Sequence, residues 1–587
     1  MTRRSGGVAF AVWLVAVGCG TTVAVPEYDA ATRSEADTGA DREPLDASLP
    51  SDAGATVVAE TSMQRDAGAS SPPAPHDAGV PVSSEHAQEH EEDAGPAEPE
   101  VADCPPPTGA TDTGQAPEAL TLEVVREPPL GVPFALAVSE ASGKPVNATV
   151  QVCVNGAPRT TLQLYRGRGS VSLSLSEPGP LTLQARAAEA HGAKRVVVRA
   201  RALRHVDGAP SAAAQTHSWT AEQDVVVDGT ISLSASETLE IGPGTRVLLG
   251  ANASLELAGT LRVLGTADDP VIFTRSSEQP WGGIRLAPGA QASIAFAWFV
   301  AGGGDARYAF GHSDSQPVLF VDEASLDMRG GGLIDNHGKA FGSRLARLTL
   351  ERMLISRCDT GGQFDSSQLT FRHLHVLEIP DNDGSRTDDD NDGFYFYDPP
   401  ATEDAGAFAV VEDSVFVRGM DDGIDQNGAK LSVHRVWIEG FAHEGVACSS
   451  TRDVLVADSV VRGCGQGIEA GYGAPRVRVE RTLVTGNGVG IRFGDEYSEP
   501  TTGSLQVDYS IVSGNAENFR NFVTTLNGPL PDAVHASCSV FDHAEFVNVA
   551  GNVPPPAPQP WPTEVCYGEA LLDPQSCSSL QVGPPCF

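Results

Sequence analysis

The sequence predicts an all-β chain, most of it a parallel solenoid, and three observations carry that reading. A turn glycine followed by an apolar residue recurs at Gly332-Leu333, Gly393-Phe394, Gly423-Ile424, Gly445-Val446, Gly467-Ile468 and Gly490-Ile491. The last four anchors are spaced 22, 22 and 23 residues apart, a period in the range of stacked repeats. Before each comes an apolar pair, Val415/Phe416, Trp437/Ile438, Val460/Val461 and Leu483/Val484, and before that another strand, Leu431/Val433, Val454/Val456 and Val477/Val479. Three short strands per turn is the pattern of a parallel β-helix. Composition agrees: 62 Gly, 5 Met and 6% aromatic residues suit many short strands better than a helix bundle.

From the N-terminus, Arg3 and Arg4 precede a ten-residue apolar stretch, Val8 to Val17, too short to span a bilayer and suited to a signal peptide. It ends Ala16-Val17-Gly18-Cys19, which resembles a bacterial lipobox with Ala16 in place of the usual Leu. The resemblance implies removal of residues 1–18 and lipidation of Cys19, hence a lipoprotein of the outer membrane or cell surface; an ordinary signal peptide cut nearby is the alternative.

Residues 19–118 read as an acidic stalk. Between Gly20 and Glu118 there are 21 acids against Arg33, Arg42 and Arg65, and the only aromatic is Tyr28. Low hydropathy and self-repelling charge cannot offset the entropy of ordering, so an extended, disordered linker is expected. Residues 119–204 then carry seven short runs: Leu120–Val125, Phe134–Val138, Ala148–Val154, Thr160–Tyr165, Ser170–Leu175, Leu181–Ala187 and Arg195–Ala200. Ser170 to Leu175 alternates with period 2, one face wet and one buried. The set resembles an immunoglobulin-like sandwich without the Cys…Trp…Cys pattern, and a spacer role is expected.

The solenoid is expected over 217–550, followed by a Pro/Cys-rich tail, 551–587. Its segments Ile241–Val247, Leu255–Leu257, Gly259–Val263, Pro270–Thr274 and Trp281–Ile284 resemble the opening coils of a right-handed parallel β-helix of the pectin-lyase-like superfamily. Ten cysteines are present; without Cys19 nine remain, and Cys538, Cys566, Cys577 and Cys586 could form two bridges near the C-terminus.

The repeat turns the sequence into a surface map, because equivalent positions in successive coils stack at about 4.8 Å. One column, expected to be exposed, is Asp425, Ala447, Glu469, Arg492. The column before the glycines is Asp392, Asp422, Glu444, Gln466, and one step earlier lie Asp421, His443 and Gly465. Asp422 and Glu444 should then lie about 5 Å apart, and Asp425 and Glu469 about 10 Å. Tyr395, Tyr472 and Tyr497 fall near this edge as candidate platforms for sugar rings. Asn487 and Asn515 look like a structural asparagine ladder. Polar turns are ordinary in any solenoid, but clustered like charges require a cation or a raised pKa.

Asp421-Asp422, with His443-Glu444-Gly445 beginning 21 residues after Asp422, is similar to the paired Asp and Gly-His-Gly spacing of β-helical polygalacturonases. The resemblance implies that Asp421 and Asp422 supply acid and base, supported by His443. Ala442 replaces the first Gly, the upstream Asn-Thr-Asp is absent, and Arg476-Val477-Arg478 stands for Arg-x-Lys. A lyase route would use calcium with Arg476 or Arg492 as base. Separately, Asp388-x-Asp390-x-Asp392-Gly393 has the alternating carboxylates of a calcium loop, but Pro399 stands where an EF-hand needs Glu.

A net charge of −38 excludes wrapping of nucleic acid, whose phosphates require a basic face. The sequence thus leads to a monomeric surface lipoprotein whose β-helix binds polysaccharide, with calcium as a possible cofactor. A glycoside hydrolase or polysaccharide lyase using the acidic edge is the alternative, and a structural adhesin with no sugar site is the third reading.

Overall fold

Alternating apolar residues over residues 120–198 form seven antiparallel strands in two sheets. They are β1 (Leu120–Val124), β2 (Phe134–Glu140), β3 (Ala148–Val154), β4 (Ala157–Leu164), β5 (Arg168–Leu173), β6 (Gly179–Ala187) and β7 (Ala190–Val198). Their orders are β1-β2-β5 and β4-β3-β6-β7, an immunoglobulin-type arrangement in which β4 pairs with β3 rather than β5. The structure, a computed structural model, describes residues 102–107, 116–207, 215–380, 390–398, 408–494, 501–521 and 533–541. The signal peptide with Cys19, the stalk up to residue 101, and the tail 551–587 with Cys566, Cys577 and Cys586 lie outside the described residues.

Two sequence boundaries shift. Cys104, assigned to the stalk, is disulfide-bonded to Cys153 of β3, and Arg186 Nη1 donates to the Cys104 carbonyl at 3.0 Å. Residues 102–107 therefore belong with the sandwich. The solenoid begins earlier than His217: Leu203–Val206 pairs in parallel with Asp224–Val227, and Thr216–Trp219 with Thr238–Ile241.

From there the chain is a parallel β-helix. One face is a sheet of 12 strands running from Ile231–Leu233 to Glu517–Asn521; the other strands form a 25-stranded sheet. The register is the one the glycine anchors predict: Ile424 pairs with Val446, Val446 with Ile468, and Ile468 with Ile491. These apolar residues point inward, where a single cluster runs from Trp219 to Ala536. Phe364, Phe371, Phe394, Phe396 and Phe416 stack along its middle, with Phe364 and Phe396 ring centroids 5.5 Å apart.

Buried turns need partners for their amides. Asn487 Oδ1 accepts from Cys464 N at 2.9 Å, and Asn515 Oδ1 accepts from Asn487 N at 3.0 Å, so both asparagines form the expected ladder. A second, hydroxyl ladder does the same at another corner. Ser459 Oγ accepts from Val436 N, Thr482 Oγ1 from Ser459 N, Ser510 Oγ from Thr482 N and Ser539 Oγ from Ser510 N, at 3.1 to 3.4 Å.

The sandwich is docked on the solenoid rather than held apart as a spacer. Outward-facing Trp298, Ile334, Leu354, Leu377, Val415, Trp437 and Val460 are buried with Ala135, Ala137 and Tyr165 of the sandwich. The Arg166 guanidinium sits 3.7 Å from the centroid of the Trp437 ring. The most buried ion pair lies at this junction. Arg246, with no exposed surface, reaches Asp224 Oδ2 at 2.7 Å and donates to the carbonyls of Glu127, Pro128 and Arg199 at 3.1 to 3.2 Å. Removing the cation strands a buried carboxylate and three carbonyls. Arg246→Met is expected to cost about 3–5 kcal/mol of stability, and Asp224→Leu added to it to recover most of that loss. Denaturant melts of the three variants check this; a double variant no more stable than Arg246→Met would contradict it.

Candidate functional site

Stacking gathers the predicted acids, but burial differs from expectation. Asp392, Asp422 and Glu444 are each under 10% exposed and form a ladder of their own. Asp422 N donates to Asp392 Oδ1 at 3.3 Å, and Glu444 N donates to Asp422 Oδ1 at 2.6 Å. Part of this column is thus structural, doing with carboxyls what the asparagine ladder does with amides. Burial, then the Glu444, Asp421 and Asp392 charges, pushes the Asp422 carboxyl well above the ordinary carboxylate range. Burial, with Asp421, Asp425 and Asp390, does the same to Asp392.

The outward column stacks as predicted at Asp425 against Ala447 and Glu469 against Arg492, and Tyr395 adds to it by pairing with Asp425. It is not an exposed row. Ala447, Glu469 and Arg492 are buried and Asp425 is half-buried, and opposite charges close over one another at Glu469 and Arg492. Arg492 Nη2 lies 2.6 Å from Glu469 Oε1 and 3.6 Å from Glu444 Oε1. Held between two carboxylates, it is poorly placed to act as a base. Asp425 is different: burial, chiefly, and the Asp421 charge raise its pKa to about 8.

Two histidines rim this floor. His443, about half exposed, pairs through Nδ1 with Asp421, which is 7% exposed. Burial raises the Asp421 carboxyl, and the His443 contact opposes that rise. The second histidine was not anticipated. His312 Nδ1 lies 2.8 Å from Asp390 Oδ2, and its ring centroid is 4.4 Å from that of Tyr395. The Asp390 bond holds the imidazole above its ordinary pKa and the carboxylate below its own.

His312 arrives on a long insertion between the strands Gln291–Val300 and Leu319–Asp322. The insertion is pinned from beneath. Buried Lys339 donates through Nζ to the Phe310 carbonyl and lies 3.4 Å from Gln363 Oε1, which also accepts from His312 N at 2.8 Å. Burial lowers the Lys339 pKa to about 8. Asp359 accepts from Ser313 at 2.9 Å and from Ser315 at 2.5 Å. Gly311, with φ +71°, lies so close to Gln363 that a Cβ there would stand 1.8 Å from its Oε1. The sequence signal was the break in the 22-residue spacing, since long insertions into a regular array are where binding loops sit.

The remaining candidates fall as follows. Tyr395 is buried and Tyr472 half-buried, their hydroxyls gathered on Asn427 Nδ2 at 3.2 and 3.0 Å, so neither ring is an open sugar platform. Tyr497 lies outside the described residues. Arg476 belongs to the other sheet, where it pairs with Asp453 at 2.5 Å, away from the acidic edge. Of the calcium motif, Asp388 lies outside the described residues, Asp390 is paired with His312, and Asp392 is buried in the ladder. A different donor set converges: ligand atoms of Asp421, Asp422 and His443 lie within 4.8 Å of one another. Two carboxylates and an imidazole suit a first-row transition ion better than calcium, which prefers oxygen alone.

No family model matches the chain, and no curated protein matches it. Among solved structures, a mutant of the periplasmic alginate epimerase AlgG is similar at a TM-score of 0.32 and 10% identity, over 55% of this chain and 78% of that one. A likeness at that level carries no argument about chemistry, which rests on the residues themselves.

Raised carboxyl pKa values link stability to pH. Between the ordinary carboxylate range and about 8, Asp425 is protonated when folded and ionised when unfolded. The folded state then binds more protons, so stability falls as pH rises through that window and levels off above it. Asp425→Asn is expected to flatten the decline and raise the melting temperature at pH 8 by about 3 °C or more. Calorimetric melts from pH 5 to pH 9 check this; an unchanged slope would count against the assignment.

Proposed function

We propose that the acidic edge of the β-helix is a polysaccharide-processing site working by acid–base chemistry. The observation that carries it is the pairing of unlike environments along one edge. Asp425 titrates near 8 and so keeps its proton at neutral pH, while two Asp–His pairs flank it. Groups whose surroundings push their pKa values apart are what divides acid from base. Asp425 donates the proton, to a glycosidic oxygen or to a sugar carbon. His443, oriented by Asp421, accepts the opposing one. His312, its imidazole pKa raised by the Asp390 hydrogen bond, faces an anionic substituent. The acidic residues lie on successive stacked coils, an array that suits a linear chain.

A second reading, binding without turnover, is favoured by one observation: the convergence of Asp421, Asp422 and His443 on a volume that a divalent cation fits. In that reading the cation relieves the carboxylate crowding and bridges the glycan. Export to the cell surface, on a lipid at Cys19, belongs to both readings, and the Cys104–Cys153 disulfide supports it, because such bonds persist in oxidising compartments.

The test is a panel of neutral and anionic polysaccharides incubated with the full chain, with and without divalent cations, and followed for new reducing ends, unsaturation and epimerisation. Asp425→Asn and His443→Ala are expected to lower turnover at least about 100-fold, with circular dichroism and binding retained. Wild-type turnover in both variants would remove the acid–base reading. Cation-dependent binding with no turnover in any protein would favour the second.

A further inference from the structure

The outward column that contains Asp425 continues toward the N-terminal coils. Glu256, Arg285, Phe320, Gly342, Gln363, Tyr395 and Asp425 are successive register partners on the 12-stranded sheet. At the far end of this run is a cavity of about 210 Å³ lined by Glu256, Arg285, Arg307, Tyr308, Phe320 and Arg344. Four strand steps separate Phe320 from Asp425, about 19 Å at 4.8 Å per step. One loop serves both places: Arg307 and Tyr308 wall the cavity, and His312 of the same insertion reaches the acidic floor.

The cavity is built from groups held ready for a ligand. Asp322, 5% exposed, accepts from Arg344 Nε and Nη2 at 3.0 and 3.1 Å and from Arg285 Nη2 at 3.4 Å. Asp305, 3% exposed, accepts from Arg307 Nε and Nη2 at 2.8 and 2.6 Å. These carboxylates sit behind their arginines, fixing each guanidinium while leaving other N–H donors open, since a guanidinium carries five. Glu256 lies within the lining and accepts from Tyr308 OH at 2.9 Å. Arg285 lies 5.1 Å from the Phe320 centroid and 5.9 Å from that of Tyr308, so flat rings and cationic edges share the space.

We propose that this cavity is a second carbohydrate subsite, holding one pyranose residue that bears an anionic substituent, a carboxylate or a sulfate. It rests on the reading of the acidic edge as a glycan site and adds to it the charge class of the chain. Arginine forks match planar oxyanions in a bidentate way, and Tyr308 and Phe320 offer apolar faces to the ring. Binding energy from a residue this far from Asp425 holds the chain in register over the acidic floor, as remote contacts do in enzymes that position long substrates.

The test uses probes too short to reach both places. Calorimetric titration of the full chain with digalacturonate, a monosulfated disaccharide and neutral cellobiose is expected to show an anionic disaccharide binding at least about tenfold more tightly than cellobiose. The two anionic probes distinguish carboxylate from sulfate. Arg285→Gln/Arg307→Gln should weaken that binding at least about tenfold, a loss of about 1.4 kcal/mol. Arg285→Gln alone, which leaves Asp322 paired with Arg344 and Asp305 with Arg307, should weaken it to a smaller degree without lowering the melting temperature. Asp425→Asn should leave it within about twofold. Equal affinity for cellobiose, no binding of either anionic probe, or unchanged binding in the arginine variants overturns the subsite. If the subsite fails while Asp425→Asn still abolishes polysaccharide turnover, the acidic-edge reading stands. If no polysaccharide is turned over but arginine-dependent binding is found, the subsite stands alone.

Discussion

Everything on the functional edge follows from one constraint, the stacking of equivalent residues at the strand spacing. Two full charges about 4.8 Å apart repel by about 3.5 kcal/mol at an effective dielectric of about 20. A solenoid with Asp or Glu at the same turn position in successive coils must discharge that repulsion. This chain does so in several ways. Asp392, Asp422 and Glu444 each belong to the ladder, Asp392 and Asp422 accepting amides from the next coil. Arg492 lies between Glu469 and Glu444. Asp390 and Asp421 take a histidine each. Asp425 has none of these and keeps its proton instead.

The register was legible because it depends on local backbone chemistry. A turn glycine followed by an inward apolar residue marks one corner of each coil, and from it the columns of Asp425 and Asp422 could be read directly. What could not be read was depth. Whether Tyr395 meets solvent depends on the insertion carrying His312, which approaches it only in three dimensions, and Glu469 is closed over by Arg492. Arg476 was misplaced for a related reason, since its coil has three faces and linear proximity to Tyr472 does not choose among them.

The docked sandwich left a sequence signal that the spacer reading overlooked. A strand with one solvated face alternates, whereas Trp437/Ile438 and Val460/Val461 are apolar on both faces, as in sheets covered on both sides. The outward members of those pairs are the ones buried against Tyr165 and its neighbours. Arg246 and Cys104 offered less. A buried arginine looks like any surface arginine in sequence, and Cys104 lies beyond an acidic run that hides its role.

The insertion between Val300 and Leu319 joins the parts into one device: tethered by Lys339 and Asp359, it holds His312 against Asp390 and Tyr395 while Arg307 and Tyr308 wall the neighbouring cavity. Burial, reinforced by the crowding of like charges, keeps the Asp425 carboxyl protonated at neutral pH. Infrared difference spectroscopy of the cation-free chain reads this directly through the carbonyl stretch of protonated carboxylic acids. The account predicts such a band at pH 7, weakened in Asp425→Asn, with the part that Asp425 contributes lost as pH rises past about 8. A wild-type chain whose carboxyl groups are all ionised at pH 7, with no divalent cation present, would contradict it.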